Sequence, residues 1–459
     1  MVCAMIHAGA LKRTSLFAAG AVSAGLLVAL LPSASASASV GGAPDPTFGR
    51  DGTVVTDITG DGRLDTVADV AVAPDGRIVA VGHTVVRPLD GEEEDQPDHD
   101  FVVARYNRDG SLDATFGAGG VVRTSFGGAQ SRDEAKAVAL QPDGKIVVAG
   151  NSDPDLEALG DFALARYNRD GSLDTTFGAG GLVVFDIGRI DSVAGLAIQP
   201  NGQIVVAGSS DARGTSPDYD FALARFQPDG SLDTAFGEGG KVLTPFGTAP
   251  SMDIANAVAI QPNGRIVVVG QSNAGGSTDF AVARYDRDGA LDATFGTGGT
   301  VLTDVTGAQG IDIAVDVAVR ANGEIVVAGS GGGFSLVRYL RDGTLDPTFG
   351  TGGHVNTPLF GRAQAVAIQS DGRIVAAGWS SAKVGSFDRD FTLTRYHRDG
   401  SPDTSFGNGG KVATDFSGNG SDDAASALAL QPGGGIIVAG SSNSRSNWDQ
   451  DFALARYLP

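Results

Sequence analysis

The sequence contains little cysteine, histidine and positive charge. Its one cysteine, Cys3, lies near the N-terminus, so no disulfide is predicted and stability must come from packing or bound metal. Only 33 lysines and arginines oppose 54 acidic residues, which gives a net charge of −21. Such a surface repels nucleic acids and anionic membranes, and no basic patch interleaved with aromatic residues interrupts it. The charge balance therefore excludes nucleic acid as a partner.

Several catalytic motifs are absent as well. The chain has no His-Glu-x-x-His zinc motif, no Gly-x-Ser-x-Gly nucleophile elbow and no cysteine after Cys3. Its glycine-rich stretches are not followed by a helical pattern, so they are not phosphate-binding loops. No apolar period of 3.6 residues occurs after residue 40, which predicts that helices are nearly absent. These absences favour a protein that binds over one that catalyses.

Long hydrophobic stretches are limited to the N-terminus. Lys12 and Arg13 precede an apolar run over residues 16–31, and small-x-small cleavage sites follow. This order predicts a secretory signal peptide over residues 1–38. An uncleaved anchor helix is the alternative, although the run is short for a membrane span. The mature chain, residues 39–459, is expected to be secreted or periplasmic, with no membrane insertion after cleavage.

Glycine is abundant, with 68 residues, and much of it belongs to an internal repeat. An Asp-x-x-Phe-Gly element recurs at intervals of about 60 residues, and two further elements, like residues 141–150 and 161–167, also occur seven times. The phenylalanines of the first element are Phe48, Phe116, Phe177, Phe236, Phe295, Phe349 and Phe406. A fixed period of this length indicates a repeat architecture.

Each repeat has the pattern of four β-strands. Residues 137–140 and 145–149 flank a Pro-Asp-Gly turn, which predicts a hairpin. Residues 162–167 and 182–185 are the predicted third and fourth strands. Seven such units predict an all-β, seven-bladed β-propeller with four antiparallel strands per blade, forming a single domain over residues 39–459.

The two ends of the repeat array are complementary. The array begins with a fourth-strand unit, Pro44 to Asp57, and ends with a third strand, Asp451 to Tyr457. We therefore expect the N-terminal strand to join the last blade, which would close the ring and remove exposed sheet edges.

The repeated motifs also resemble a known family. Leu173-Asp174-Thr175-Thr176-Phe177-Gly178 and its copies are similar to the delta-60 repeats of bacterial β-propeller proteins, over essentially all of residues 44–457. The resemblance implies the propeller fold but no single reaction.

Two acidic loops have a spacing typical of calcium ligands. Oxygen donors fall at positions 1, 3, 5 and 9 with glycine at position 6, which wraps a tight loop around one ion. The first set is Asp57, Thr59, Asp61, Arg63 through its carbonyl, and Asp65, and the weaker second set is Asp415, Ser417, Asn419 and Asp423. Both resemble the calcium hairpins of integrin-type (FG-GAP) propeller blades. Ca²⁺ would stabilise a blade junction, and an ordinary glycine turn is the alternative.

Other polar residues repeat from unit to unit. Seven third-strand arginines are interpreted as structural anchors, each paired with a carboxylate or carbonyl of its own blade, because active sites are usually singular. Six repeats also carry an aspartate before the first strand: Asp65, Asp133, Asp191, Asp253, Asp312 and Asp423. We favour a local cap that accepts backbone N–H bonds for these six, with a cation-collecting acidic rim as the alternative.

Two histidines flank the longest insertion. His83 and His99 stand on either side of a segment that contains Glu92, Glu93, Glu94 and Asp95. A transition-metal site made from these histidines and nearby carboxylates is one hypothesis. An exposed acidic loop is the preferred interpretation.

The tight turns are uniform, whereas the other connections vary in length and sequence. Variable loops gathered on one face suggest a recognition surface. Trp379 and Trp448 are assigned to these loops as candidate ligand platforms, with packing on their own blades as the alternative. The sequence thus predicts a secreted, non-catalytic binding or scaffold module for a cell-envelope glycan or protein, as a monomer. An exported lyase or hydrolase with a site at the axial channel is the alternative.

Overall fold

Twenty-eight β-strands make up the regular structure, and the described part of the chain contains no helix. The computed structural model describes residues 41–60, 63–85, 98–127, 131–153, 160–211, 218–248, 250–307, 310–382, 388–418, 420–446 and 449–459. These residues belong to one compact unit, Val40–Pro459. The predicted signal peptide lies outside them.

The strands form seven four-stranded antiparallel units, which we call blades. β1 (Thr53–Thr56) belongs to the seventh blade and precedes all the others in the chain. The first three blades are β2 (Asp65–Val72), β3 (Ile78–Val85), β4 (His99–Tyr106) and β5 (Val121–Thr124); β6 (Arg132–Leu140), β7 (Ile146–Asp153), β8 (Asp161–Tyr167) and β9 (Leu182–Phe185); and β10 (Asp191–Ile198), β11 (Ile204–Ser210), β12 (Asp220–Phe226) and β13 (Lys241–Thr244).

The remaining blades follow the same order of strands. They are β14 (Ile254–Ile260), β15 (Ile266–Ser272), β16 (Asp279–Tyr285) and β17 (Thr300–Thr303); β18 (Ile313–Val319), β19 (Ile325–Ser330), β20 (Phe334–Tyr339) and β21 (His354–Thr357); β22 (Phe360–Ile368), β23 (Ile374–Ser381), β24 (Arg389–Tyr396) and β25 (Lys411–Thr414); and β26 (Asp423–Leu430), β27 (Ile436–Ser446) and β28 (Asp449–Tyr457), which β1 completes. A single parallel bridge, His99 to Arg132, links the first two blades into one larger sheet.

The sequence explains the local shape of each blade. In every blade the pairing of the first and second strands shifts by one residue, as at residues 135 and 137 of the second blade. A glycine of the second strand faces this bulge, and a Cβ on Gly150 would come within 2.0 Å of the Glu134 carbonyl oxygen. Only glycine permits this close approach. The predicted first strand, residues 137–140, is accordingly too short, because pairing continues through the bulge.

The hydrophobic core lies between neighbouring blades. In the second blade, Phe162 and Leu164 pack with the third blade, whereas Ala163 and Ala165 pack with the first. Both faces of the inner strands are therefore buried, which explains their continuous apolar sequences. All seven phenylalanines of the Asp-x-x-Phe-Gly element are fully buried.

The N-terminal strand joins the C-terminal blade. β1 pairs with β28 through Thr53 to Ala455 and Thr56 to Phe452, which completes that four-stranded sheet as predicted. First strands of consecutive blades contact one another, and β26 also contacts β2. One core cluster contains Val67 and Val102 of the first blade together with Ile437 and Leu454 of the seventh.

Candidate functional site

The two edges of each blade differ in chemistry. The turn edge carries the Pro-Asp-Gly hairpins and the Asp-x-x-Phe-Gly element. The loop edge carries the starts of the first and third strands and the ends of the second and fourth. All candidate ligand-binding groups described below lie on the loop edge or at its blade junctions.

At the turn edge, every third-strand arginine forms what we call an arginine staple with the Asp and Phe of the Asp-x-x-Phe-Gly element. In the fifth blade, Arg338 Nε donates to Asp346 Oδ2 over 2.8 Å, and the guanidinium carbon lies 4.6 Å from the centre of the Phe349 ring. Arg338 Nη1 also donates to the carbonyl of Arg398 in the sixth blade. The predicted structural role is confirmed, but the carbonyl partner is in the neighbouring blade rather than the same one.

At the loop edge, aspartates from three chain positions meet at blade junctions. One stands at the start of a third strand, one follows the fourth strand, and one stands at the start of the next blade's first strand. In four sets, which we call carboxylate clusters, an oxygen of each aspartate lies within 4.8 Å of the others: Asp57, Asp65 and Asp451; Asp161, Asp186 and Asp191; Asp279, Asp304 and Asp312; and Asp390, Asp415 and Asp423.

The first predicted calcium loop contributes two of the three carboxylates at its junction. Asp57 Oδ1 accepts hydrogen bonds from Gly60 N at 2.5 Å and, more weakly, from the Thr59 hydroxyl at 3.5 Å. Asp65 Oδ2 accepts the N–H of Ile58 at 2.7 Å, which folds the loop back on itself. The third carboxylate, Asp451, comes from β28 at the other end of the chain. Of the remaining predicted ligands, Arg63 is half-buried, and Asp61 lies outside the described residues.

The second predicted calcium loop has the same pattern of hydrogen bonds to its two aspartates. Asp415 Oδ1 accepts the N–H groups of Ser417 at 3.0 Å and Gly418 at 2.7 Å. Asp423 Oδ2 accepts the N–H of Phe416 at 2.9 Å. The third carboxylate is Asp390 at the start of β24. Asn419 lies outside the described residues.

The aspartates before the first strands are caps as well as cluster members. All six are fully or almost fully buried, and each accepts a backbone N–H from the segment after the preceding fourth strand, at 2.7 to 2.9 Å. The capping prediction is therefore confirmed. Four of these six residues, Asp65, Asp191, Asp312 and Asp423, also belong to carboxylate clusters.

Two cluster members at the starts of third strands have a raised pKa, whereas N–H groups of its own loop lower the pKa of Asp415 despite its burial. The pKa of Asp390 is raised to about 6, chiefly by burial and also by the charges of Asp415, Asp388 and Asp423. Burial and the charges of Asp304 and Asp312 likewise raise the pKa of Asp279. Like charges held this close need either protons or a cation.

Two cluster members are also almost completely buried. Asp191 and Asp423 are 1% and 0% exposed. Each faces a serine on the paired second strand, and the hydroxyls of Ser210 and Ser442 respectively interact with them. Buried carboxylate oxygens of this kind are the ligands that Ca²⁺ prefers, and at Ca–O distances of about 2.3–2.6 Å two ligands are separated by up to about 5 Å.

The other three junctions lack a complete set. Ser125 and Pro245 stand after the fourth strand where the clusters have their second aspartate, beside Asp133 and Asp253 respectively. Between the fifth and sixth blades, Pro358 and Gly361 occupy the last two positions. The seven junctions therefore provide natural comparisons for the four clusters.

The two histidines that flank the long insertion meet at the junction of the first two blades. Their rings are stacked, with centres 5.2 Å apart and planes inclined by 10°. The nearby carboxylate is Glu134 of β6, which was not among the predicted partners. The acidic insertion itself, residues 86–97, lies outside the described residues.

Of the two tryptophans, only Trp379 is described. The prediction that Trp379 lies in a loop is wrong, because it lies on β23, where it is half-buried. The guanidinium carbons of Arg389 and Arg362 lie 5.1 and 5.7 Å from its ring centre, and Arg389 forms an ion pair with Asp422. Trp379 is therefore flanked by two cations. Trp448 lies outside the described residues.

One further feature of the loop edge was not predicted. The position just before the first-strand aspartate exposes a large apolar side chain in four repeats. These are Leu64, Met252, Ile311 and Phe360, with exposed fractions of 46%, 37%, 70% and 56%. These apolar groups occupy one repeat position on the loop edge of four blades and are candidate contacts for a partner.

Two carboxylates also stand on first strands at the bulge. Asp69 accepts the N–H groups of Val70 and of Val138 in the next blade, and Asp316 does the same with Val317 and Val366. Burial raises the pKa of Asp69 to about 6 and that of Asp316, which also senses the charge of Asp69, to about 7. Because all four oxygens accept backbone N–H groups, both side chains join neighbouring blades.

Seven four-stranded antiparallel blades with contacting first strands define a β-propeller. Seven segments of the chain match the family model described as a domain of unknown function (DUF5122) beta-propeller: residues 96–116, 141–177, 199–236, 261–295, 320–349, 369–406 and 431–459. The chain therefore belongs to a β-propeller repeat family, with one matching segment in each blade. Among curated proteins none matches significantly. Within the described residues, no helix is long and apolar enough to cross a membrane.

Several solved structures resemble the chain at low sequence identity. A protein of unknown function from Dyadobacter fermentans DSM 18053 is 12% identical, covering 90% of this chain and 100% of that one, with a TM-score of 0.46. Polysaccharide lyase Uly1 is 10% identical, with coverages of 85% and 89% and a TM-score of 0.48. The extracellular domain of the putative hybrid two component system BT4673 from B. thetaiotaomicron is 11% identical, with coverages of 87% and 39% and a TM-score of 0.45. Likenesses this distant leave the function to be argued from the chain itself.

Proposed function

We propose that this protein is a secreted, non-catalytic β-propeller of delta-60-type repeats that binds an extracellular glycan or protein on its loop edge. In this proposal β1 closes a ring of seven blades, and Ca²⁺ at the carboxylate clusters stabilises the junctions between them. The signal-peptide pattern of residues 1–38 supports secretion.

The series Leu64, Met252, Ile311 and Phe360 carries the proposal. Exposed apolar surface gains free energy when a partner covers it, and these four exposed side chains recur at one repeat position on one edge. The variable connections between second and third strands emerge at the same edge and would surround the partner.

The binding test uses the full chain with insoluble bacterial cell-wall glycan and a panel of soluble envelope polysaccharides and proteins as probes. Ile311→Asp and Phe360→Asp should each weaken binding at least tenfold, because one lost apolar contact is worth about 1.5–3 kcal/mol. Val184→Asp is the matched control, since Val184 is 48% exposed but lies on the outermost strand β9. Equal weakening by all three variants would contradict the assignment of the loop edge.

The calcium proposal has its own test. Unfolding is measured in chelator, in millimolar Ca²⁺ and in millimolar Mg²⁺, and Ca²⁺ at about 100 times its dissociation constant should stabilise a site by about 2.7 kcal/mol. Asp191→Asn should reduce this gain. Asp253→Asn, at the same repeat position but beside Pro245, should not. The calcium proposal would be rejected if Ca²⁺ did not increase the free energy of unfolding. It would also be rejected if the increase persisted in Asp191→Asn but was lost in Asp253→Asn.

The alternative, an exported lyase or hydrolase with an axial site, has less support. Asp69 and Asp316, the two carboxylates at first-strand bulges described above, have both oxygens engaged by backbone N–H groups. A carboxylate used in this way is poorly placed to act as a general acid or base. Their chemistry favours the binding interpretation.

A further inference from the structure

The junction of the first and second blades holds a group of side chains that no other junction repeats. His83 lies on β3, His99 begins β4, and Glu134 lies on β6 of the next blade. One ligand atom of each lies within 4.8 Å of the other two. In the other repeats, the His83 position is occupied by Asn151, Ser209, Gln271, Ser330, Trp379 and Ser441. A feature that serves general blade packing would recur, and this one does not.

We propose that His83, His99 and Glu134 bind one transition-metal ion of the Zn²⁺ class at this junction. The site lies between two blades, so bound metal would join them in a way that differs from the oxygen-only clusters. This inference stands independently of the proposed ligand-binding function.

The distances suit such an ion. His99 Nδ1 lies 3.2 Å from Glu134 Oε1. Two ligands of a tetrahedral zinc at about 2.0–2.1 Å are separated by roughly 3.3 Å. The same distance also suits a hydrogen bond, so the histidine–carboxylate pair is prearranged for either use. Two imidazoles and one carboxylate leave the fourth position of a tetrahedral ion open.

His83 supplies the observation that points to a ligand. Its Nδ1 is buried and has no hydrogen-bond partner, although buried polar atoms are normally satisfied. Imidazole binds metal through such a nitrogen lone pair. The ring of His99 is stacked beside that of His83, with the two ring centres 5.2 Å apart.

Glu134 is held between two cationic side chains. Lys136 Nζ donates to Oε2 at 2.8 Å, and Arg132 Nε donates to Oε1 at 2.9 Å. These contacts orient the carboxylate as groups around a metal ligand commonly do, and lone pairs on both oxygens remain for a metal.

The donor set distinguishes this site from the clusters. Imidazole nitrogen favours Zn²⁺, Cu²⁺, Ni²⁺ and Co²⁺, whereas Ca²⁺ and Mg²⁺ prefer oxygen. The metals themselves can therefore separate this proposal from the calcium proposal.

The test is isothermal titration of the full chain with Zn²⁺ in the presence of excess Ca²⁺, together with visible absorption of the Co²⁺-loaded protein. We expect one Zn²⁺ site, and at least tenfold weaker binding in His83→Gln, His99→Gln and Glu134→Gln. His397→Gln is the control, because its side chain is 48% exposed and lies on a different blade. Unfolding of each variant in chelator ensures that only folded proteins are compared.

Three results would overturn the proposal. One is unchanged Zn²⁺ affinity in all three variants. Another is Zn²⁺ binding that is lost in Asp191→Asn, which would move the ion to a carboxylate cluster. The third is a Co²⁺ spectrum that does not change in His83→Gln. None of these results bears on Ca²⁺ stabilisation or on glycan and protein binding, so the two proposals fail separately.

Discussion

The two edges of the blades hold neighbouring units together with opposite electrostatic arrangements. At the turn edge, each arginine staple combines one buried guanidinium with one carboxylate, which is buried in six of the seven blades, and a phenyl ring. In six blades the guanidinium also donates to a carbonyl of the next blade. At the loop edge, four junctions gather three carboxylates each. In a staple the chain itself supplies both charges of the ion pair. In a cluster the chain supplies only negative charges, and a bound cation would relieve their repulsion.

This difference distinguishes the arginine staples, which occur in every blade, from the carboxylate clusters, which occur at four of the described junctions. The charges within a staple balance one another without a bound ion, and the same residue types serve in all seven copies. A carboxylate cluster has no such internal cation, and among the described residues only four junctions carry such a cluster. We therefore expect the stability of the loop edge, but not that of the turn edge, to depend on bound ions.

The largest effect is expected from removing the cation of one staple. Arg338→Met leaves Asp346 buried, 5% exposed, and without its guanidinium partner. An uncompensated buried charge costs about 3–5 kcal/mol. Denaturant unfolding in chelator should show a loss of this size.

The control for that experiment lies in the adjoining turn. Arg341 donates to the carbonyl of Asn322 but is exposed, so Arg341→Met should cost less than about 1 kcal/mol. The double variant Arg338→Met/Asp346→Asn should recover part of the loss. If Arg338→Met is no more harmful than Arg341→Met, the staples do not stabilise the turn edge.

A smaller effect, with a sign that depends on metal, is expected at the sixth blade. Asp390→Asn removes one negative charge from the cluster that contains Asp415 and Asp423. In chelator the variant should be more stable than the parent by about 1 kcal/mol, because like-charge repulsion is relieved. In millimolar Ca²⁺ it should be less stable, because a ligand is lost. Unfolding midpoints that shift in the same direction under both conditions would show that the cluster does not hold a cation.

The two edges should also respond to pH in opposite directions. Carboxyl groups with a raised folded-state pKa include Asp390 at the loop edge, at about 6, and Asp316 at a first-strand bulge, at about 7. They favour the protonated folded state, so their contribution to stability grows as the pH falls from 8 toward 4. At the staples, although burial opposes it, Thr348 and Arg338 hold the pKa of Asp346 below its usual value of 3.8. That contribution is present above pH 4 and is lost as the pH falls through the folded-state pKa.

The expected profile in chelator therefore rises by about 1 kcal/mol between pH 8 and pH 5 and falls below pH 4. Asp316→Asn should flatten the rise, whereas Arg341→Met should leave it unchanged. A profile that declines steadily from pH 8 would mean that the raised pKa values do not contribute to folding.

The strands and the staples could be predicted because they depend on local pattern. Hairpin turns, alternating apolar runs and the Asp-x-x-Phe-Gly element repeat within about 60 residues, and the N-terminal fourth strand could be matched to the final third strand. The bulge was missed because the pattern of residues 132–137 mixes polar and small side chains, and only the glycine opposite it signals the close approach.

The carboxylate clusters could be predicted only in part. Asp57 and Asp65, or Asp415 and Asp423, are close in sequence, and their spacing indicated an ion-binding loop. Asp451 and Asp390 come from other strands, and the spacing of one loop contains no information about them. Glu134 was missed for the same reason, since it reaches His99 across a blade junction.

The smallest effect is expected from adding the missing aspartate to a junction that has only two. Pro245 follows β13 at the position that holds an aspartate in the clusters, and Asp220 and Asp253 already flank it. Pro245→Asp should add a cation site there. Proline removal also increases the freedom of the unfolded chain, at a cost of about 0.4–1 kcal/mol, so the matched control is Pro245→Asn. In chelator, the aspartate variant should be slightly less stable than the asparagine variant. In Ca²⁺ it should be more stable by a few tenths of a kcal/mol or more, and an order that does not change with metal would mean that three carboxylates at a junction are insufficient for binding.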